Sequence, residues 1–168
     1  MAKADDIAKI IEQERGLVFP RFDEAAAFAL GSAIFHRGLE GRLPMVVDIR
    51  LWDRPLFFAA LPGATRDNAE WVRRKSNTVR QFHKSTYRVV LERAFEERVF
   101  PVHRALPVED FAIAGGGFPI SIAGVGVIGS VTISGLPERD DHGFAVAAVA
   151  AFLGHDPAAW ALGPEAQG

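Results

Sequence analysis

The sequence predicts an α+β domain, an antiparallel sheet with helices packed against it. Two stretches, 45–51 and 125–133, alternate in polarity with the period of a strand, and each adjoins a second extended run across a turn signal. Between these two hairpins lies a long segment of helical period, 68–97. Alanine-rich apolar segments at 24–40 and 144–153 supply helices to cover the sheet. At 168 residues the chain suits one domain: 1–21 reads as an N-terminal helix or arm and 22–168 as the α/β domain.

The elements follow in order. Ile7, Ile10 and Ile11 place an apolar stripe on a short first helix, which is marginal alone and needs a surface to dock on. Asp23 is a good N-cap for a helix over Glu24 to Glu40, with Ala27, Leu30 and Ile34 on one face. Gly31 inside it marks a close helix–sheet approach. Gly41 and Pro44 stop that helix. Met45 to Leu51 and Leu56 to Leu61 then form a hairpin about Asp53-Arg54-Pro55, its outer face expected to carry Asp48 and Arg50. From Asn68, residues Trp71, Lys75, Thr78, Val79 and Phe82 fall on helical spacing; Tyr87, Val90, Leu91, Ala94 and Phe95 repeat it. One bent helix or two consecutive ones are expected to about Glu97. Gly115-Gly116-Gly117 feeds the second hairpin, Phe118 to Ala123 and Val125 to Ser134, which reverses at Gly124. Asp140 or Asp141 is the expected N-cap of the next helix, Gly154 its C′ residue, and Trp160 rides a last short turn.

Composition excludes several classes. The formal charge is −2, so bulk electrostatics do not recruit nucleic acid. Cysteine is absent, which removes disulfides and thiolate metal sites. The N-terminal segment lacks an apolar signal core and no apolar run is long enough to span a bilayer, so no membrane partner is expected and the cytoplasm is the expected location. His36, His83, His103, His142 and His155 show no metal-ligand spacing, and no metal site is expected. The serines lie in no nucleophile elbow, and no dinucleotide-type glycine motif opens a helix.

Three groups carry ligand chemistry, each with a plainer reading beside it. Gly115, Gly116, Gly117, Phe118 and Pro119 offer backbone N–H groups to an anion or carbonyl, or simply form a bulge at a strand start. Arg73, Arg74, Lys75 and Arg80, with Asn77, read as a cationic wall for carboxylates or phosphates, or as a solvated helix face. His83 and the pair Asp141-His142 are titratable near neutrality, or belong to helix ends. The pocket reading requires Gly116 and Arg74 to border one cavity.

The runs Gly115 to Ile120 and Gly124 to Pro137, followed by Asp141-His142, resemble the haem-degrading-domain superfamily of GlcG and HbpS type, most of all its uncharacterised branch numbered 0303. The basic helix, Trp71 to Lys75 and Phe82 to Ser85, is similar to that branch as well. The likeness covers residues 22–153. It implies a profilin-like α/β sandwich, a homo-oligomer, and haem as a cofactor or guest in some relatives; no axial haem ligand carries over to a position here. Two functions follow: a small domain binding haem or another planar acidic molecule, not a conventional enzyme, or a non-catalytic module recruiting a protein partner of the chaperone or targeting type. Peroxide-dependent haem breakdown is a third reading.

Overall fold

A computed structural model describes residues 2–93 and 97–165. Helices α1 (Ala2–Gly16) and α2 (Glu24–Glu40) precede strands β1 (Val46–Leu51) and β2 (Arg54–Ala60). Helices α3 (Arg66–Phe82) and α4 (Thr86–Glu92) and a single 3₁₀ turn (Val102–Arg104) lead to β3 (Gly117–Ile122) and β4 (Gly126–Ser134), and α5 (Glu138–Phe152) and α6 (Pro157–Trp160) close the chain. The four strands form one antiparallel sheet in the order β2-β1-β4-β3. The α+β expectation is met.

Register assigns the two faces of the sheet. Val47, Ile49, Phe118, Ile120, Val131 and Ile133 share one face and are fully buried. They pack on Ala27, Leu30 and Ile34 of α2 and on Ala145, Val146 and Val149 of α5. Each fully buried Leu, Ile or Phe contributes about 1.5–3 kcal/mol, so this layer is the main source of stability. Gly31 sits where expected for a close approach: a Cβ there would lie 2.3 Å from the Phe57 ring on β2.

The opposite face corrects the sequence reading. Asp48 was expected on an outer surface with Arg50, yet it is 1% exposed because α3 covers this side. Asp48, Ser130, Thr132 and Ser134 are buried there against Lys75 and Ser76 of α3. Alternation within β1 shows which residues share a face, but not whether a helix covers it.

The second helical segment divides. α3 ends at Phe82 because His83 takes a left-handed backbone, φ +53, and Ser85 is extended. Helix α4 ends at Glu92, short of the expected Glu97, which lies in a turn. Ala94 and Phe95 lie outside the described residues. Ser85 is anchored instead to α1: its backbone N–H and its hydroxyl both donate to Glu14, at 2.8 and 2.7 Å.

Helix α1 has Ile10 and Gln13 buried, and the following segment buries Leu17 and adds a parallel bridge, Phe19 to Ile122, at the β3 edge. The C-terminal α6 lies over α1, where Gln13 donates to the Trp160 carbonyl at 2.6 Å. Among the described residues no helix is long and apolar enough to cross a membrane.

Candidate functional site

Helix α3 runs across the polar face so that its first half meets the glycine turn and the start of α5. Its N-terminus is fixed by Asn68, whose side-chain oxygen accepts from the Thr65 backbone N–H at 2.9 Å. One turn on, Trp71 is half-buried, with the Arg74 guanidinium 4.3 Å above its ring. The next inward position is Lys75, and its side chain is 3% exposed.

Lys75 is the centre of the site. Its ammonium donates to the Ile133 carbonyl at 3.0 Å and to Asp141 Oδ2 at 3.1 Å. An ammonium has three N–H groups, so one has no acceptor among the described residues. Burial lowers the Lys75 pKa against the pull of Asp141. Burial likewise raises Asp141 to about 6, against the opposing charge of Lys75. Asp141 is also held from behind, since its Oδ1 accepts from the Leu136 backbone N–H at 3.0 Å.

The glycine turn makes room for this pair. Gly116 has φ +130, and a Cβ on it would lie 2.3 Å from the Ile133 oxygen, 2.9 Å from Lys75 Nζ and 3.1 Å from Asp141 Cβ. Gly115 donates to Glu138 Oε2 at 3.2 Å, and Gly117 donates to the Thr86 hydroxyl at 2.9 Å. Two of the three turn N–H groups therefore already have partners. Glu138 opposes its own burial through a two-pronged pair with Arg98, at 2.9 and 3.0 Å, and stays below the usual carboxylate range.

These side chains border a cleft of about 270 Å³, lined among others by Asn68, Trp71, Lys75, Ser134, Glu138 and Asp141. A larger hollow of about 370 Å³ beside α5 has Leu136, Phe144 and Leu162 in its wall together with Arg139, which is committed to Asp6. Perturbed titratable groups in a cleft mark the first of these as the candidate site.

The structure brings Gly115, Gly116, Lys75 and Asp141 together and scatters the remaining candidates. Neither Gly116 nor Arg74, expected to border one cavity, is in the cleft wall: Arg74 is turned onto Trp71, and Gly116 backs onto Lys75, which takes the wall position one residue along and 100° round the helix. Arg73 clasps the 109–110 segment, donating to Asp110 Oδ1 at 3.0 Å and to the Glu109 carbonyl at 2.6 Å, while Asn77 donates to the Asp110 carbonyl at 2.8 Å. Arg80 lies at the other end of the helix, so the four cations form no single wall. His83 is the exposed C-cap of α3. Pro119 is buried under α3's side of the sheet, paired in register with Ser130.

Phe118 and His142 belong to the core. Both are fully buried, with ring centres 6.2 Å apart. Burial, and secondarily the charge of Arg139, drives His142 down to about 3, so it is neutral; its Nε2 faces Gln13 Oε1 at 2.8 Å. Neither Asp140 nor Asp141 caps α5 as expected. The helix begins one residue after Pro137, at Glu138, and the Asp141 carboxylate is committed to Lys75 and Leu136. Glu138, Asn68 and Trp71 were not read from the sequence as site residues, Asn68 being taken only as a helix start.

Residues 22–150 match the model of the family described as haem degrading protein HbpS-like. The chain belongs to that family. It is 54% identical over 167 residues to a UPF0303 protein of Mesorhizobium japonicum, covering 99% of this chain and 100% of that one, and so falls in the branch its motifs resemble. Among solved structures it is similar to the crystal structure of the Ybr137w protein, with TM-score 0.81 and 24% identity over 91% of this chain and 92% of that one. A PduOC:haem complex matches with TM-score 0.65 and 21% identity, over 77% and 94%. These structural neighbours support the fold.

Proposed function

We propose that this HbpS-like domain binds a planar small molecule bearing a carboxylate or carbonyl, haem being the first candidate, in the cleft between α3 and the start of α5. The observation that carries the reading is Lys75: a buried ammonium with one N–H lacking an acceptor among the described residues, in the wall of a cleft that also presents the Trp71 indole. The Lys75–Asp141 and Arg98–Glu138 pairs balance in charge, so binding rests on stacking at Trp71 and one directed hydrogen bond rather than on bulk attraction. The family description and the haem complex of a structural neighbour support haem as the guest.

The residues fit a porphyrin in one respect. A propionate suits Lys75, but no histidine lines the cleft, and His142 is fully buried in the core. Haem would therefore be held through its edge, without a histidine ligand to iron from this cleft. At about 270 Å³ the cleft falls below the ~300–1,000 Å³ usual for enclosed ligands, so it covers one edge of such a guest. A titration with haemin and, in parallel, iron-free protoporphyrin tests this. Saturable binding of both with similar affinity is expected; spectra of the free porphyrins at stoichiometric protein overturn it.

A second reading, a homo-oligomeric interaction module working in the cytoplasm, is favoured by the edge strand β2. Phe58 there is 50% exposed, and Phe28 of α2, which stacks edge-on to Phe57, is 67% exposed. Solvent-exposed aromatic rings beside an unpaired strand edge suit a protein contact. Light scattering on the wild type and on Phe58→Lys tests it: an oligomer that the substitution dissociates supports the reading, and a monomeric wild type contradicts it.

A further inference from the structure

The second half of α3 and the β1–β2 turn enclose a separate hollow of about 180 Å³, which shares no wall residue with the Lys75 cleft. Arg50 of β1, Arg54 of β2 and Arg80 of α3 line it, together with Trp52, Asp53 and Asn77.

The three arginines are held differently. Arg50 donates through Nε and Nη2 to the two oxygens of Asp48, each at 2.7 Å, and Asp48 is buried beneath α3. That fork fixes the guanidinium plane and leaves Nη1 without an acceptor among the described residues. Arg54 is braced by Asp53 and Glu24. Arg80 is exposed, and its side chain has no hydrogen-bond or ion-pair partner among the described residues. Ser130 lies opposite Arg50 in register, on the same sheet face, and its hydroxyl is buried and unpartnered.

A buried carboxylate on a sheet face is costly unless a partner compensates it, as Arg50 does for Asp48. Here the carboxylate orients a half-exposed guanidinium at the mouth of the hollow; Arg50 is paired with Asp48 and Arg54 with Asp53 and Glu24, and Arg80 is the arginine of its wall with no ion-pair partner among the described residues. Guanidinium forks match the oxygens of phosphate. The hollow is too small for a drug-sized molecule and large enough for a phosphoryl group.

We propose that the Arg50–Arg54–Arg80 hollow is an oxyanion site for a phosphoryl group, taken either as free phosphate or as a phosphate monoester. Arg50 and Arg80 supply the free guanidinium edges, and Asp48 preorganises the first of them.

The test is an NMR titration of ¹⁵N-labelled protein at constant ionic strength, with inorganic phosphate in one arm and AMP in the other. Saturable shifts of the Trp52 indole N–H are expected, with the dissociation constant at least tenfold weaker in Arg80→Ala and unchanged in Arg66→Ala, an exposed arginine at the far end of the same helix. Tighter binding of AMP than of phosphate assigns a monoester, and equal binding assigns free phosphate. The site is overturned if neither ligand saturates, if Arg80→Ala binds like the wild type, or if Arg66→Ala weakens binding as much as Arg80→Ala.

Discussion

The Lys75 ammonium lies 3.1 Å from the Asp141 carboxylate, and both side chains are 3% exposed. This pair joins α3 to α5 across the end of β4, because Lys75 also donates to the Ile133 carbonyl. Breaking a buried pair from one side leaves a charge uncompensated, at a cost of about 3–5 kcal/mol. Lys75→Met and Asp141→Leu should each lose about that much in urea unfolding, and the double variant should lose less than the sum. Strict additivity would show that the two groups do not act as a pair.

Gly116 is the backbone condition for that pair. Its φ of +130 and the 2.3 Å approach of a Cβ to the Ile133 oxygen predict that Gly116→Ala costs about 2 kcal/mol or more. The same substitution at Gly124, where φ is +75 and nothing lies within 4 Å, should cost less. Equal losses would mean that backbone strain alone, and not the neighbours of Gly116, sets the requirement.

Acid stability separates two buried groups of opposite sign. His142 is held down to about 3 from 6.5, so its contribution is present above pH 6.5 and is lost as pH falls towards 3. Asp141 is raised to about 6 from 3.8, so its contribution is present below pH 3.8 and is lost as pH rises through 6. Between pH 6 and 4.5 the two slopes, each about 1.4 kcal/mol per pH unit, oppose each other and wild-type stability should be nearly flat. In Asp141→Asn the His142 slope stands alone and stability should fall with acidification. Parallel pH profiles for the two proteins would refute this assignment.

Trp160 ties the C-terminal segment to α1. A Cβ on Gly16 would lie 2.2 Å from its ring, Lys9 donates to the Ala159 carbonyl at 2.9 Å, and Gln13 donates to the Trp160 carbonyl. Trp160→Ala should cost about 2 kcal/mol through lost packing, and amide exchange should quicken in α1 before it does in β4. Unchanged α1 exchange would show that this helix is held by α4 and β3 alone.

The strands and the long helices were readable because each has its own period: β4 alternates, α2 repeats an apolar stripe, and Asp23 caps where its side chain suggests. Whether a second layer covers a face is a tertiary fact, so Asp48 was placed outside although α3 buries it. The site was legible only as ingredients. The glycine turn and the basic helix do meet, but a one-residue rotation of α3 decides that Lys75 enters while Arg74 stacks on Trp71. The stripe Trp71, Lys75, Thr78, Val79 and Phe82 already set Lys75 rather than Arg74 on the inward side, but nothing local showed that its ammonium meets Asp141. Two consecutive helices were one of the two expected forms of this segment, but the place of the break at His83 was hidden, since a left-handed histidine leaves the apolar spacing on either side intact.

The most direct test of the ligand-binding account is the affinity of wild-type protein and Trp71→Ala for haemin. Trp71 is half-buried at the cleft wall, so its loss should leave the fold intact and remove the stacking surface. The account predicts saturable wild-type binding that weakens tenfold or more in Trp71→Ala; equal affinity in the two proteins would contradict it.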